Sequence, residues 1–260
     1  APMTPRSDLT RQVSVTAAFV VGVIGTLAGV GIIGTEVSDS SGGALRADAT
    51  LLTPATPAFS IWSVIYVGLI GYLIWQWLPA NARSRTARET GWWGAASLLL
   101  NGAWLGVTQA GWLWVSVVVI GLLAYVLIKL CLTLVGRGPT RLAELLLVYV
   151  TFGLYLGWVC VATVANVTAA AVGTGVSLGG AEHIVAVVVL LVAGAIGVQL
   201  ARVMPGQPAI GVAMAWGLAW ISVGRLAAGP QSLLVGVVAA VVAAGVLAAH
   251  VLRARVAVSS

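Results

Sequence analysis

The strongest constraint on this fold is a succession of long apolar stretches with almost no charged side chains. The stretch from Thr90 to Ile128 has none. Only 8% of the 260 residues are charged, whereas soluble domains average about 25%. Because a helix needs about 20 mainly apolar residues to cross a bilayer, we predict an all-α polytopic membrane protein.

About eight segments are predicted to span the membrane. The stretch Thr90–Ile128 has room for two short spans, with the turn between them at Thr108–Gly111. The predicted spans are Val13–Thr35, Phe59–Leu78, the two within Thr90–Ile128, Leu145–Val172, Ile184–Leu200, Ala209–Gly224 and Leu233–Leu252.

The basic residues predict the orientation of these spans. If the N-terminus lies inside, only Arg46 and Arg225 of the 13 basic residues fall outside, as the positive-inside rule requires. We therefore expect a multi-pass protein of the inner (plasma) membrane with both termini cytoplasmic. The net charge of +6 is explained by topology and contact with anionic lipid, so we expect membrane lipid and no nucleic acid as a partner. Arg225 is expected to reach the outer interface.

Three predicted helices carry aromatic side chains at helical spacing, and two of them add an asparagine. A side-chain amide in hydrocarbon needs a hydrogen-bonding partner, so Asn101 and Asn166 should face protein or a ligand. The faces comprise Trp62, Tyr66, Asn101, Trp104, Tyr155, Trp158, Ala162 and Asn166. Two interpretations remain open here: a packing seam joined by the amides, or a pocket for a flat apolar ligand.

Three short motifs on these helices resemble one known family. Trp62–Tyr66 (WSVIY) resembles the W-[TS]-x-[LI]-Y core of the second helix of the TspO/MBR family, the tryptophan-rich sensory and translocator proteins. Asn101–Trp104 (NGAW) is similar to its third-helix N-x-x-W. Tyr155–Asn166 resembles its fifth-helix Y-L-x-W-x-x-x-A-T-x-x-N. The resemblance covers about Val13–Val172.

The resemblance implies a five-helix bundle over residues 1–175, followed by a three-helix membrane extension over residues 176–260. It implies a pocket formed by the eight residues above, for a tetrapyrrole such as porphyrin or haem, with no obligatory cofactor. Members of the family are described as sensors, regulators or transporters, and some are credited with light-dependent porphyrin breakdown.

The chain departs from the family pattern at several positions. Ser60 and Ile61 stand where the family often has a proline, and Leu154 replaces another proline. The sterol motif expected after the fifth helix is missing from residues 167–175. Sterol binding is therefore not expected, and the altered start of the second helix can change the ligand.

The residues alone leave other functions open. Stacked aromatic rings also suit a carotenoid, a quinone or a hopanoid. Catalysis has little support, because no span holds paired carboxylates or a cluster with metal-ligand spacing, and only the family suggests porphyrin breakdown. The alternatives are a small-molecule transporter or an accessory subunit of a larger membrane complex. Gly-rich helices would suit such a complex, or a homodimer.

The aromatic residues of the second span are predicted to divide into two groups. Trp62 and Tyr66 should form one wall of the pocket, with Trp104 and Trp158 opposite. Trp75 and Trp77 should lie in the cytoplasmic headgroup belt. The longest outer loop, residues 36–58, is either a solvated connector or a cover for a cavity.

Overall fold

The computed structural model describes residues 5–29 and 43–259. The described chain is helical and contains no strand. Eight long helices occur in it, one for each predicted span, although the part of the first span beyond Gly29 lies outside the described residues. They are α1 (Pro5–Gly29), α2 (Ile61–Trp77), α3 (Arg85–Gln109), α4 (Leu113–Thr133), α5 (Thr151–Gly173), α6 (Glu182–Val203), α7 (Pro208–Ala227) and α8 (Leu233–Ser259).

Length and composition mark six helical segments as able to cross a membrane within the described part of the chain. They are Thr56–Trp77, Leu113–Thr133, Leu142–Gly173, Glu182–Val203, Pro208–Ala227 and Leu233–Arg255. The other two long helices, α1 and α3, begin with charged turns before their apolar parts. The predicted all-α polytopic membrane fold is confirmed.

The first five long helices close a ring. Helix α1 packs against α3, α3 against α4, α4 against α5, α5 against α2, and α2 against α1. The last three helices attach to this ring because α7 packs along α5, α8 along α7, and α6 along α8. The division at residue 175 remains a prediction, and the α5–α7 contact is the main joint between its two parts.

Glycines allow α5 and α7 to approach closely. A Cβ atom at Gly157 would collide with the carbonyl oxygen of Ile210, and one at Gly153 would lie 2.9 Å from the Cβ of Ala209. On the other side of the contact, a Cβ at Gly217 would lie 2.8 Å from Val161. Small residues that bring backbones together are the usual basis of helix association in lipid.

A π-helix, Leu145–Val150, leads into α5. The Oγ1 of Thr151 donates to the carbonyl of Leu146 at 2.9 Å, which satisfies one backbone group of this wider turn. Helix α2 crosses the segment with two glycines, because side chains at Gly68 and Gly71 would collide with Thr151 and Leu147. Such π-turns are frequent at functional sites, and this one directly precedes Tyr155 and Trp158.

Charged side chains gather at the end of the ring that holds the N-terminus. Arg88 donates to both carboxylate oxygens of Asp8, at 2.9 and 2.6 Å. This hydrogen bonding lowers the pKa of the Asp8 carboxyl below its ordinary value. The buried Arg11 donates to the carbonyl of Ala82 at 2.7 Å. The pairs tie the first turns of α1 to α3 and to the α2–α3 connection, outside the apolar spans.

The tryptophans at the C-terminal end of α2 do not behave alike. Trp77 is 42% exposed, as its predicted place in a headgroup belt requires. The same prediction is wrong for Trp75, which is 4% exposed and stacks on Tyr72 with ring centroids 5.9 Å apart. Two positions apart on a helix are about 200° apart around its axis, so only one of these indoles faces outward.

Candidate functional site

An aromatic cluster forms where the first half of α2 meets the first half of α5. Trp62 and Tyr66 stack with their centroids 5.5 Å apart and planes 26° from parallel. Trp62 also meets Tyr155 edge-on at 5.8 Å and Trp158 edge-on at 6.3 Å. Phe59 closes the outer edge by packing on Trp158 at 5.5 Å. We call these five residues the aromatic cluster.

Polar atoms line one side of the cluster. The amide nitrogen of Asn101 donates to the hydroxyl of Tyr66 at 2.7 Å. The hydroxyl of Tyr155 donates to the carbonyl of Ser97 at 3.3 Å. Two of the seven buried side-chain atoms that lack a hydrogen-bond partner among the described residues lie here: the Oδ1 of Asn101 and the Nε1 of Trp158. The cluster therefore retains one free acceptor and one free donor, each of which is costly to bury unpaired.

A second polar group joins three helices beside the cluster. The indole of Trp104 donates to the Oδ1 of Asn166 at 3.2 Å, and the Nδ2 of Asn166 donates to the hydroxyl of Ser116 at 2.9 Å. Ser116 in turn donates to the carbonyl of Leu113 at 2.6 Å. Helices α3, α5 and α4 are thereby linked through side chains inside the bundle.

The structure thus places the predicted site residues in two groups. Trp62, Tyr66, Tyr155 and Trp158 meet directly, with Asn101 bonded to them, whereas Trp104 pairs with Asn166. The predicted wall of Trp104 and Trp158 opposite Trp62 is not formed, because Trp158 contacts Trp62 edge to face and Trp104 bonds to Asn166. Ala162 is half-buried against the core. The ligand role of all eight residues stays a prediction.

Three residues that contribute to the aromatic cluster or to the hydrogen bonds beside it were not predicted from the sequence. Phe59 was predicted only as the first residue of a span, and Ser97 contributes a backbone carbonyl that no side-chain pattern reveals. Ser116 carried a detectable signal, since it is a lone hydroxyl within the apolar run of α4 and needs a partner there.

The aromatic rings fill the space between α2 and α5 themselves. Tyr155 is 0% exposed and Trp158 1%, while Trp62 and Tyr66 are half-buried at the lipid-facing edge. The structure contains a separate apolar cavity of about 30 Å³ between α5, α6 and α7, lined in part by Cys160, Met214 and Leu218. That cavity is far too small for a tetrapyrrole.

The side chains of the cluster are better suited to stacking on a flat ring than to serving as axial ligands of a metal. Its two phenol oxygens already take part in hydrogen bonds with Asn101 and Ser97. His250, considered from its ring chemistry as a haem ligand, lies elsewhere: it is 2% exposed, and its Nε2 lies 3.1 Å from the carbonyl oxygen of Gly197. The residues present therefore fit the flat face of a porphyrin, and they offer a metal no free histidine.

The segment before α2, residues 47–60, contacts α7 and carries Phe59 of the cluster, and we call it the strap. The indole of Trp216 in α7 donates to the carbonyl of Ala58 at 2.9 Å. The amide of Ala55 donates to the carbonyl of Trp220 at 3.2 Å. Ala58 and Leu52 are buried, at 0% and 1% exposed. This part of the predicted outer loop is therefore packed and not a solvated connector; residues 36–42 of that loop lie outside the described residues.

A comparison with protein families settles which group these features represent. The family model described as TSPO-like protein matches residues 12–253, which include the aromatic cluster, both asparagines and seven helices beyond α1. The chain belongs to the TSPO-like family. In this TSPO-like protein the matched stretch continues through α6, α7 and most of α8, so the family pattern is not confined to the five-helix ring. A search of curated proteins and a search of solved structures each return no significant match.

Proposed function

We propose that this TSPO-like membrane protein binds a flat hydrophobic molecule of the tetrapyrrole class at the aromatic cluster. Binding would serve the sensing, regulation or transport of that molecule. The observation that carries the proposal is the pair of unpartnered polar atoms, Asn101 Oδ1 and Trp158 Nε1, within a group of indole and phenol rings.

The chemistry of the cluster matches such a ligand. Aromatic side chains favour offset stacking on planar conjugated systems. A free amide oxygen and a free indole N–H would be satisfied by a ligand that presents both a hydrogen-bond donor and an acceptor. A ring system with pyrrole N–H groups and a carboxylate or carbonyl substituent meets both requirements.

The route to the site is lateral in this proposal. Trp62 and Tyr66 are the half-buried members of the cluster, and Phe59 beside them is 38% exposed. An apolar ligand dissolved in the bilayer would reach these three rings first. It would then displace Phe59 or Trp62 and occupy the space that their rings now fill.

Intrinsic fluorescence tests the proposal. In the full-length protein in lipid nanodiscs, we expect protoporphyrin to quench tryptophan emission. Trp62→Phe and Trp158→Phe should each weaken binding about two- to twelvefold, since an aromatic pair contributes about 0.5–1.5 kcal/mol beyond its area. Trp77→Phe is the control, because Trp77 lies at the far end of α2. Equal behaviour of all three variants would show that the cluster is a packing seam.

We also propose that both termini lie in the cytoplasm and that the protein resides in the plasma membrane. The inner end would hold the Asp8–Arg88 pair and the contacts of Glu89 with Arg85 and Arg137. The outer end would hold the strap and the start of α2. The positive-inside rule supports this arrangement.

A further inference from the structure

A buried arginine of α7 holds the strap from the side of the C-terminal helices. The Nη2 of Arg225 donates to the carbonyl of Ala47 at 3.1 Å, and its Nη1 donates to the carbonyl of Thr50. The Nη2 also donates to the carbonyl of Gly229 at 2.8 Å, within the turn that follows α7. One guanidinium therefore joins the strap to the α7–α8 connection.

Because Arg225 is buried, its charge depends on these hydrogen bonds for stabilisation. The residue is 1% exposed, so its side chain is enclosed by protein and does not extend to water as the sequence predicted. Its charge is met by three backbone carbonyls. A charged group removed from water in this way is stable only while its hydrogen bonds are made. Loss of the side chain would leave buried carbonyls of the strap without donors.

Two further hydrogen bonds join α7 to the strap at positions closer to the aromatic cluster. Trp216 holds the carbonyl of Ala58 and the carbonyl of Trp220 holds the amide of Ala55. All three connections come from α7, and all end on the strap. The strap includes Phe59, whose ring packs on Trp158. Displacement of the strap therefore moves the ring that closes the outer edge of the cluster.

We infer that the C-terminal helices position the ligand site, because α7 clamps the strap that carries Phe59 of the aromatic cluster and Arg225 is the principal positioning residue. This inference rests on the proposed function for its ligand part. It assigns a role to the three helices that follow the five-helix ring. The ring supplies the aromatic walls, and α7 fixes the segment that carries Phe59.

Hydrogen–deuterium exchange of the full-length protein in nanodiscs tests the clamp without any ligand. Amides of residues 47–60 should exchange about tenfold faster in Arg225→Leu, since local opening follows the loss of the contacts that hold a segment. Trp216→Phe should give a smaller increase centred on Ala58. Arg225→Lys retains a cation and three donors, so it should restore part of the protection.

A matched control is available at the same end of the bundle. Trp114 donates its indole N–H to Thr174 at 3.3 Å and does not contact the strap through that bond, so Trp114→Phe should leave residues 47–60 protected. Exchange of α3 around Asn101 reports on global folding. Unchanged exchange of the strap in Arg225→Leu would overturn the inference. If Arg225→Leu also speeds exchange in α3, the variant is globally destabilised, and the milder variants Trp216→Phe and Arg225→Lys replace it as the test. Unchanged exchange of the strap in both of these variants would then overturn the inference.

Binding kinetics test the coupling to the site. The association and dissociation rate constants of protoporphyrin should both rise, by about threefold or more, in Arg225→Lys and Trp216→Phe, because opening of a cover speeds both directions. A loosened strap with unchanged rate constants would overturn the positioning role. If the wild-type protein binds no protoporphyrin, the proposed function fails, whereas the exchange data still decide whether α7 holds the strap.

Discussion

Trp104 of α3 donates its indole N–H to Asn166 of α5 at 3.2 Å, so two residues of separate sequence motifs are one hydrogen-bonded pair. Asn166 is 1% exposed and passes a second hydrogen bond to Ser116 of α4. The side-chain amide of Asn166 therefore forms a hydrogen bond through both its oxygen and its nitrogen. Together with Ser116, this pair links α3, α4 and α5.

Replacement of Asn166 by leucine should destabilise the protein. Interhelical hydrogen bonds in lipid contribute about 0.6–2 kcal/mol, and the variant also leaves the buried N–H of Trp104 unpaired. We expect a lower Tm in detergent by tryptophan fluorescence. Thr163→Val is the control, because the hydroxyl of Thr163 bonds to Val159 within its own helix. An equal Tm for Asn166→Leu and wild type would contradict the bridge.

Gly157→Ala should separate α5 from α7. The added methyl group would collide with the carbonyl of Ile210, and overpacking of a tight contact costs about 1–3 kcal/mol. Thermal unfolding of the purified protein measures the loss. Gly121→Ala in α4 is the matched control, since a Cβ atom there meets no neighbour within 4 Å. If both variants lose the same stability, the effect is not due to the α5–α7 contact.

The inner charge network predicts a specific acid sensitivity. Hydrogen bonding from Arg88 lowers the pKa of Asp8 in the folded protein, so this carboxylate stabilises the fold above its unfolded pKa of about 3.9. That contribution is lost as pH falls through the lower folded value. Asp8→Asn should therefore unfold at a lower temperature at neutral pH and lose less Tm than wild type below about pH 4.

The control is Asp48→Asn, which removes an exposed carboxylate that pairs with an exposed Arg46. It should leave the Tm at neutral pH nearly unchanged, because an exposed ion pair contributes about 0–1 kcal/mol. A wild-type dependence of Tm on pH in Asp8→Asn would show that the pair with Arg88 contributes nothing to acid unfolding.

The proposed orientation predicts two labelling patterns. Ser177 lies exposed between α5 and α6, and Pro139 lies exposed between α4 and α5. In intact cells a membrane-impermeant maleimide should label Ser177→Cys, and it should label Pro139→Cys only after permeabilisation. Reversal of the two patterns would place both termini outside.

The sequence predicted the helices and one face of the site well, because both depend on local spacing. Apolar length alone marks the spans. Residues three or four apart share a helix face, which is why Trp62 and Tyr66 stack and why Tyr155 and Trp158 both meet Trp62. The amides were rightly expected inside the bundle, since both are 1% exposed.

The remaining features depend on contacts that spacing cannot specify. Trp75 faces the core because of the rotation of α2 about its own axis. The expectation that tryptophans near the end of a span lie among the headgroups uses only position along the helix, so it does not predict that rotation. The partners of Asn166 come from two other helices. Arg225 can be buried because its guanidinium donates hydrogen bonds to backbone carbonyls of a loop distant in sequence. The positions of those carbonyls cannot be predicted from a pattern of side chains.

The clamp on the strap also has a consequence for the order of events during synthesis. Thr50 and Arg225 are separated by 175 positions along the chain. At a translation rate of about 5–20 residues per second, roughly 9–35 seconds pass between the emergence of the two residues. The strap and the helices of the ring emerge in that interval, and the hydrogen-bond partners of the strap in α7 emerge only at its end. A nascent chain that ends before α7 therefore lacks Trp216, Trp220 and Arg225, the residues of α7 that bond to the strap.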